Sequence, residues 1–301
     1  MFKLSKIFSA HKDSITECTL SSDSLYSISA SVDNTIAIWN LNSLEHVTSL
    51  RHPTSVSSLD LSKDDSKIVS SSSHFVHLFD VSSGKELNRY SSNLSRVVST
   101  RFFHYNSLLV SANVSGEVFF WDVRKHRSKP VHSVSFPDSI SSISCYQFGK
   151  PLVGVGFSDS FCRVIDFTTN QIYSDNIGQS SAGICLSPDG FYYVSLSSCL
   201  SFVYLIDVFD GSCLVKIKVA DRDYKSPIRI SPFGDLIAFS DQIGDVTIFD
   251  PVNDSSQVLK CGENVITALS FGNQRNVDSF EGLTLLVGDK KGLIYSFCTM
   301  T

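Results

Sequence analysis

The chain has 301 residues, of which 42% are apolar and 18% charged, and its formal net charge is −5. That balance fits a globular chain with a sizeable core and excludes a disordered or fibrous class. It also excludes a global attraction to phosphate backbones or anionic membranes.

Taken from the start, the first apolar segment, Lys3 to Phe8, opens no repeat of its own and is assigned as the outer strand of the last unit. A β-rich run closing in Asp or Asn then recurs: Ile36-Ala37-Ile38-Trp39-Asn40, Val76-His77-Leu78-Phe79-Asp80, Phe119-Phe120-Trp121-Asp122, Val164-Ile165-Asp166, Leu205-Ile206-Asp207 and Thr247-Ile248-Phe249-Asp250. Successive closing residues lie 40 to 44 positions apart. Polar turns stand ahead of these runs, as in Ser62-Lys63-Asp64-Asp65, Ser187-Pro188-Asp189-Gly190 and Ser231-Pro232-Phe233-Gly234. A second turn follows each run, as in Asp207-Val208-Phe209-Asp210-Gly211. Such residues set or tolerate turn backbone angles, so each unit reads as four strands joined by three turns.

The marked strands are apolar on both faces: Ile36 and Ile38 alternate with Ala37 and Trp39, and Val203 and Leu205 alternate with Tyr204 and Ile206. A half-exposed strand would alternate apolar with polar instead. Sheets must therefore stack on sheets, and radial stacking of four-stranded blades does this for every unit. Dividing 301 residues by the repeat length predicts an all-β, seven-bladed β-propeller that occupies residues 1–301 as a single domain, with the N-terminal strand closing the last blade. The seventh unit is the least regular. Its Leu293-Ile294-Tyr295-Ser296-Phe297 run lacks the closing Asp, and the stretch from Gly272 to Gly282 reads as an inserted surface loop.

Ser clusters at Ser70 to Ser73 and Ser195 to Ser198 fall where the pattern places inner and second strands and read as fillers of narrow space near the ring axis. The densest basic run, Arg124-Lys125-His126-Arg127-Ser128-Lys129, lies in a turn and reads as a solvated loop or a contact for an acidic partner or RNA. The eight cysteines have no paired short spacing, which predicts reduced thiols and no zinc site. No run approaches a membrane span, nothing marks secretion, and the expected location is nucleus and cytoplasm.

His11, Ser29, Asp33 and Trp39 offer an acid, an imidazole and a hydroxyl in one repeat. Their order resembles WD-repeat proteins, in which a His before the first strand, a Ser in the second, an Asp in the tight turn and a Trp in the third make a buried hydrogen-bonded tetrad. The resemblance implies that these four residues are structural. Ala10-His11 stands where that family shows Gly-His, and Ser73, Ser115 and Leu200 replace the turn Asp in other units, with Asp159 keeping it. No Gly-x-Ser-x-Gly elbow, phosphate loop or His-Glu-x-x-His helix occurs, so neither catalytic residues nor a cofactor nor a metal is expected.

Between Trp121 and Ser240 the likeness is to a narrower group. Phe120-Trp121-Asp122-Val123-Arg124, Asp138-Ser139-Ile140-Ser141-Ser142-Ile143, Gly156-Phe157-Ser158-Asp159-Ser160, Ile172-Tyr173-Ser174-Asp175, Cys185-Leu186-Ser187-Pro188-Asp189-Gly190 and Tyr224-Lys225 resemble the mitogen-activated protein kinase organizer family of WD-repeat proteins. That resemblance implies a non-catalytic scaffold for other proteins, either in the spliceosome or in a kinase cascade. Trp121-Asp122-Val123-Arg124 also looks like the motif by which WD-repeat receptors engage a cullin-type ubiquitin ligase. A monomer within a larger complex is expected, without sequence-specific nucleic-acid or membrane binding. Candidate partner contacts, placed in rim loops, are Tyr224, Lys225, Arg222, Arg96, Arg101, Arg124 and His126, because Arg and aromatic side chains dominate interface energetics.

Overall fold

A strand buried on both faces needs a neighbour on each side, and the computed structural model supplies one by packing the repeats radially. It describes residues 1–91, 95–103, 107–125, 129–146, 151–197, 202–219, 227–241, 243–274 and 282–299. After β1 (Phe2–Ser9), blade 1 contains β2 (Ile15–Leu20), β3 (Tyr26–Ser31), β4 (Thr35–Asn40) and β5 (His46–Arg51). Blade 2 contains β6 (Val56–Leu61), β7 (Lys67–Ser72), β8 (Phe75–Asp80) and β9 (Glu86–Ser91); blade 3 contains β10 (Val97–Phe103), β11 (Leu108–Asn113), β12 (Glu117–Asp122) and β13 (His132–Ser135). Blade 4 is β14 (Ile140–Tyr146), β15 (Leu152–Phe157), β16 (Phe161–Asp166) and β17 (Gln171–Asn176). Blade 5 is β18 (Ser181–Leu186), β19 (Tyr192–Ser197), β20 (Phe202–Asp207) and β21 (Cys213–Lys218). Blade 6 is β22 (Ile228–Ile230), β23 (Ile237–Ser240), β24 (Asp245–Asp250) and β25 (Ser255–Lys260), and blade 7 adds β26 (Ile266–Gln274), β27 (Gly282–Asp289) and β28 (Leu293–Thr299).

Each blade is an antiparallel meander, and the last is completed by β1, giving the order β1-β28-β27-β26. The chain is a seven-bladed β-propeller. The closure runs from Phe2 opposite Thr299 to Ser9 opposite Leu293. Buried Phe2 is further held by Gln257 of blade 6, which accepts from its N–H at 2.9 Å and donates to its carbonyl at 2.7 Å.

Burial follows position within the blade. Second strands such as β15 and β27 are buried along their whole length, whereas outer strands such as β17 and β21 show alternating exposure. Among the described residues the apolar core forms seven layers, each shared by two adjacent blades. Val69, Leu78 and Tyr90 of blade 2 thus meet Phe102, Leu109 and Trp121 of blade 3, and Phe103 and Phe120 meet Ile143 and Phe157 of blade 4.

One sequence expectation changes here and another gains its detail. The stretch from Gly272 to Gly282 is partly strand, because β26 continues to Gln274 opposite Gly282, with residues 275–281 outside the described residues. The Ser clusters fall largely in second strands: Ser70, Ser72 and Ser195 are buried in hydrogen bonds with His52, His77 and Ser181, and Ser71 bonds Ser57 of the neighbouring inner strand at 2.9 Å. A short hydroxyl fits between sheets where a polar partner waits.

Candidate interaction surfaces and a closed channel

The innermost strands line the axis, and among the described residues six of them carry a β-bulge near the start. Pairing skips one residue in each of β2, β6, β10, β14, β18 and β26. An extra residue bends the strand and re-aims its side chains. The six skipped residues, Thr16, Ser57, Val98, Ser141, Ala182 and Thr267, line one mouth of the channel, a cavity of about 300 Å3.

Below that mouth the channel is closed by an ionic cluster. Glu17 accepts from Arg101 Nη1 at 3.0 Å, from Arg229 Nη2 at 2.8 Å, from Ser58 Oγ at 2.8 Å and from the Leu59 N–H at 3.0 Å. Arg101 Nη2 is also bonded to Glu17 Oε1, and Arg101 Nη1 donates to Ser58 Oγ and to the carbonyls of Leu59 and Thr100. Beyond lies a second cavity of about 160 Å3, which Arg101 and Arg229 also line with Asp60, Ser144 and Cys185. Burial works to raise the Glu17 carboxyl, but the two guanidinium groups outweigh it and hold it below the usual value. For Asp60 burial prevails over the attraction of Arg101 and pushes the carboxyl up to about 6.

The same inner residues join one blade to the next. The edge of an inner strand leaves backbone N–H groups without a sheet partner, and each needs an acceptor. Side chains 42 residues earlier provide it: Ser58 Oγ for the Thr100 N–H, Asp60 for Phe102, Ser142 Oγ for Ile184 and Ser144 Oγ for Leu186. Glu17 does the same for Leu59.

In blade 1 the structure brings His11, Ser29 and Asp33 together. His11 Nδ1 lies 3.1 Å from Asp33 Oδ2, and its Nε2 is 2.8 Å from Ser29 Oγ. Thr35, which sequence spacing did not single out, bonds Asp33 at 2.6 Å and His11 at 3.2 Å. Burial lowers the His11 pKa despite the opposing pull of Asp33, so at neutral pH this contact is a hydrogen bond of a neutral ring. Trp39 is not part of the set. Its indole packs on Phe8 of β1 (5.4 Å between centroids) and His46 (5.1 Å), and its buried Nε1 has no hydrogen-bond partner. A Trp-to-Ser bond occurs in blade 3 instead, where Trp121 Nε1 donates to Ser111 Oγ at 2.9 Å.

Other blades fill this position differently. Blade 2 sets His52 on Ser70 and edge-on to His77, which in turn contacts Glu86 at 3.0 Å. Blade 4 places the Arg163 guanidinium among the rings of Phe136, Phe157 and Phe161 with Asp159 at 2.6 Å. In blades 3 and 7 the turn acceptor moves two positions upstream: Asn113 receives the N–H groups of Ser115 and Glu117, and Asp289 those of Lys291 and Leu293. Those turns also need Gly116 and Gly292. Both have positive φ, and a Cβ on either would fall 2.3 Å from a backbone carbonyl.

Beside His11 and Asp33 opens a polar cavity of about 670 Å3, lined also by Lys12, Asn34, Arg51 and His52. Among the described residues no three His, Cys, Asp or Glu side chains are grouped to hold a metal ion.

The expected rim contacts separate. Arg101 belongs to the channel cluster and not to a rim loop, because the bulge in β10 turns it toward the axis, where Glu17 waits 84 residues away in sequence. Arg96 is exposed at the channel mouth. Arg124 is exposed on the turn after β12, its guanidinium on Asp122 at 3.1 Å. Arg222, Tyr224, Lys225 and His126 lie outside the described residues. Sequence reasoning missed Glu17 and Arg229; a lone Glu and a lone Arg on inner strands of different repeats were the available signal.

Comparison with known proteins agrees with this architecture. The WD domain, G-beta repeat pattern matches residues 2–40 and 44–80. This chain carries WD repeats. Each matched WD repeat begins one strand ahead of its blade, covering β1 to β4 and then β5 to β8, so the ring closes by overlap. A curated protein of Schizosaccharomyces pombe, U3 small nucleolar RNA-associated protein 21 homolog, is 28% identical over 266 residues, covering 83% of this chain. The WD-repeat chain spans 29% of that protein's length.

Proposed function

We propose that this chain is a non-catalytic protein-interaction scaffold serving an RNA-processing ribonucleoprotein in the nucleus. The observation that carries the scaffold reading is the closed channel. Glu17, Arg101 and Arg229 satisfy one another at the axis, which leaves the turns as the surface for partners. Support for RNA processing comes from the relative whose name places it with a small nucleolar RNA, since the likeness runs along most of the chain. With a net charge of −5 the chain is suited to contact such an assembly through its proteins.

The finer alternatives differ in what binds. Purification of the tagged full chain, with RNA sequencing and mass spectrometry, is expected to return a small nuclear or nucleolar RNA together with its proteins. Spliceosomal RNAs would place the chain in pre-mRNA splicing, and small nucleolar RNAs in the nucleolus. Protein partners should remain after RNase treatment. Recovery of kinases without RNA would replace this reading with a kinase-cascade scaffold. Capture of a ligase adaptor, abolished by Arg124→Ala, would replace it with a ubiquitin-ligase receptor, for which exposed Arg124 is the supporting feature.

A further inference from the structure

Blades 4 to 6 expose rings that the fold does not require. Phe191 in the turn before β20's partner strand is 54% exposed, Phe209 in the turn after β20 is 40% exposed, and Phe233 in the first turn of blade 6 is 53% exposed. The rings are neighbours: Phe209 meets Tyr173 edge-on at 5.9 Å and Phe191 at 6.2 Å. The Phe233 turn adjoins them, because a Cβ on Gly234 would touch Pro188 at 3.6 Å. By strand register, the place of Phe191 is held by Leu25, Ser66, Ser107 and Pro151 in blades 1 to 4, and that of Phe209 by Asn42, Ser82, Arg124, Thr168 and Val252 in the other blades. None of these turns needs an aromatic ring. Two exposed rings in contact, with a third exposed on the adjoining turn, leave apolar surface in water, and such patches mark interaction sites.

Among the described residues the turns beside the rings carry charge of one sign. The turns at 187–191, 208–212, 231–235 and 251–254 contain Asp189, Asp210, Asp235 and Asp254 and no Lys or Arg. Asp175, held by the Tyr193 hydroxyl at 2.8 Å, adds to them. Among the described residues no cation pairs with Asp175, Asp189, Asp207 or Asp210, since the ion pairs lie elsewhere. An acidic rim repels nucleic-acid phosphate and attracts a basic chain.

We infer that the aromatic patch formed by Tyr173, Phe191, Phe209 and Phe233 docks a basic segment of a protein partner that carries Arg and an aliphatic or aromatic anchor. Arg suits it better than Lys, because a guanidinium stacks on ring faces while pairing with the flanking carboxylates. The inference deepens the scaffold reading and rests on it.

The test is selection of a random 16-residue displayed peptide library on the full chain, with counter-selection on Phe191→Ser/Phe209→Ser. Both rings are exposed, so that variant should melt at the wild-type temperature, and the two single variants are carried alongside as a check on folding. Enriched peptides are expected to be net positive, to contain Arg, and to bind at least tenfold more weakly to the double variant and to Asp210→Lys. Peptides that are acidic, that bind the ring variants equally well, or that fail to enrich would overturn the assignment. Failure here with the ribonucleoprotein purification intact removes only this surface. Loss of that purification in the wild type removes the scaffold reading, whatever the library returns.

Discussion

A ring nitrogen buried without a counter-charge resists protonation, and His52 is the clearest case in this chain. Burial, helped by neighbouring His77 and Arg89 and opposed by Glu86, lowers its pKa from 6.5 to about 4. The unfolded chain thus takes up a proton that the folded chain refuses. Stability from this site is complete above pH 6.5 and drains as pH falls toward 4. His77, also lowered by burial, acts in the same direction, while Asp60 at about 6 acts in the opposite one. Replacing His52 by Gln should therefore remove about 2 kcal/mol of the stability difference between pH 7 and pH 5, read from urea denaturation at both values. At this scale the resemblance to WD repeats located His11, Ser29 and Asp33, which lie within one local meander. It misassigned Trp39, whose ring partner Phe8 enters from the strand that closes blade 7.

Strands read well from the sequence, since two-faced apolarity and the turn residues between them are local signals. The bulges do not, because an unpaired residue such as Thr16 looks like any other strand residue until its partner strand is laid beside it. The closing strand is the element whose removal tests the ring. Deleting residues 1–9 strips the outer edge of β28 and the burial of Phe2, which alone is worth about 2 kcal/mol. The truncated chain should melt at lower temperature and self-associate through the bared edge, seen by light scattering during a thermal ramp.

At the scale of the molecule the ring is held by apolar layers between blades and by a charged cluster at its centre. Removing one charge from a buried set leaves the others uncompensated and typically costs about 3–5 kcal/mol. Glu17→Gln should lose that much in chemical denaturation, because Arg101 and Arg229 then face each other across the channel. Replacing Glu17, Arg101 and Arg229 together by Leu or Met should recover most of the loss. If the single variant were as stable as the wild type, the cluster would not be closing the channel energetically.

Repeat length, strand count, overlap at the ends and the absence of recognisable catalytic spacings are all local or periodic, so the linear chain carried them. Which side chains face one another across blades is not. Ser142 reaches Ile184, and Arg101 reaches Glu17, only after the ring has closed and brought residues 42 and 84 positions apart within hydrogen-bond distance. The same closure gathers Tyr173, Phe191, Phe209 and Phe233 from three blades onto one rim. Local pattern makes the blades, and their radial packing decides where the charge and the exposed rings come together.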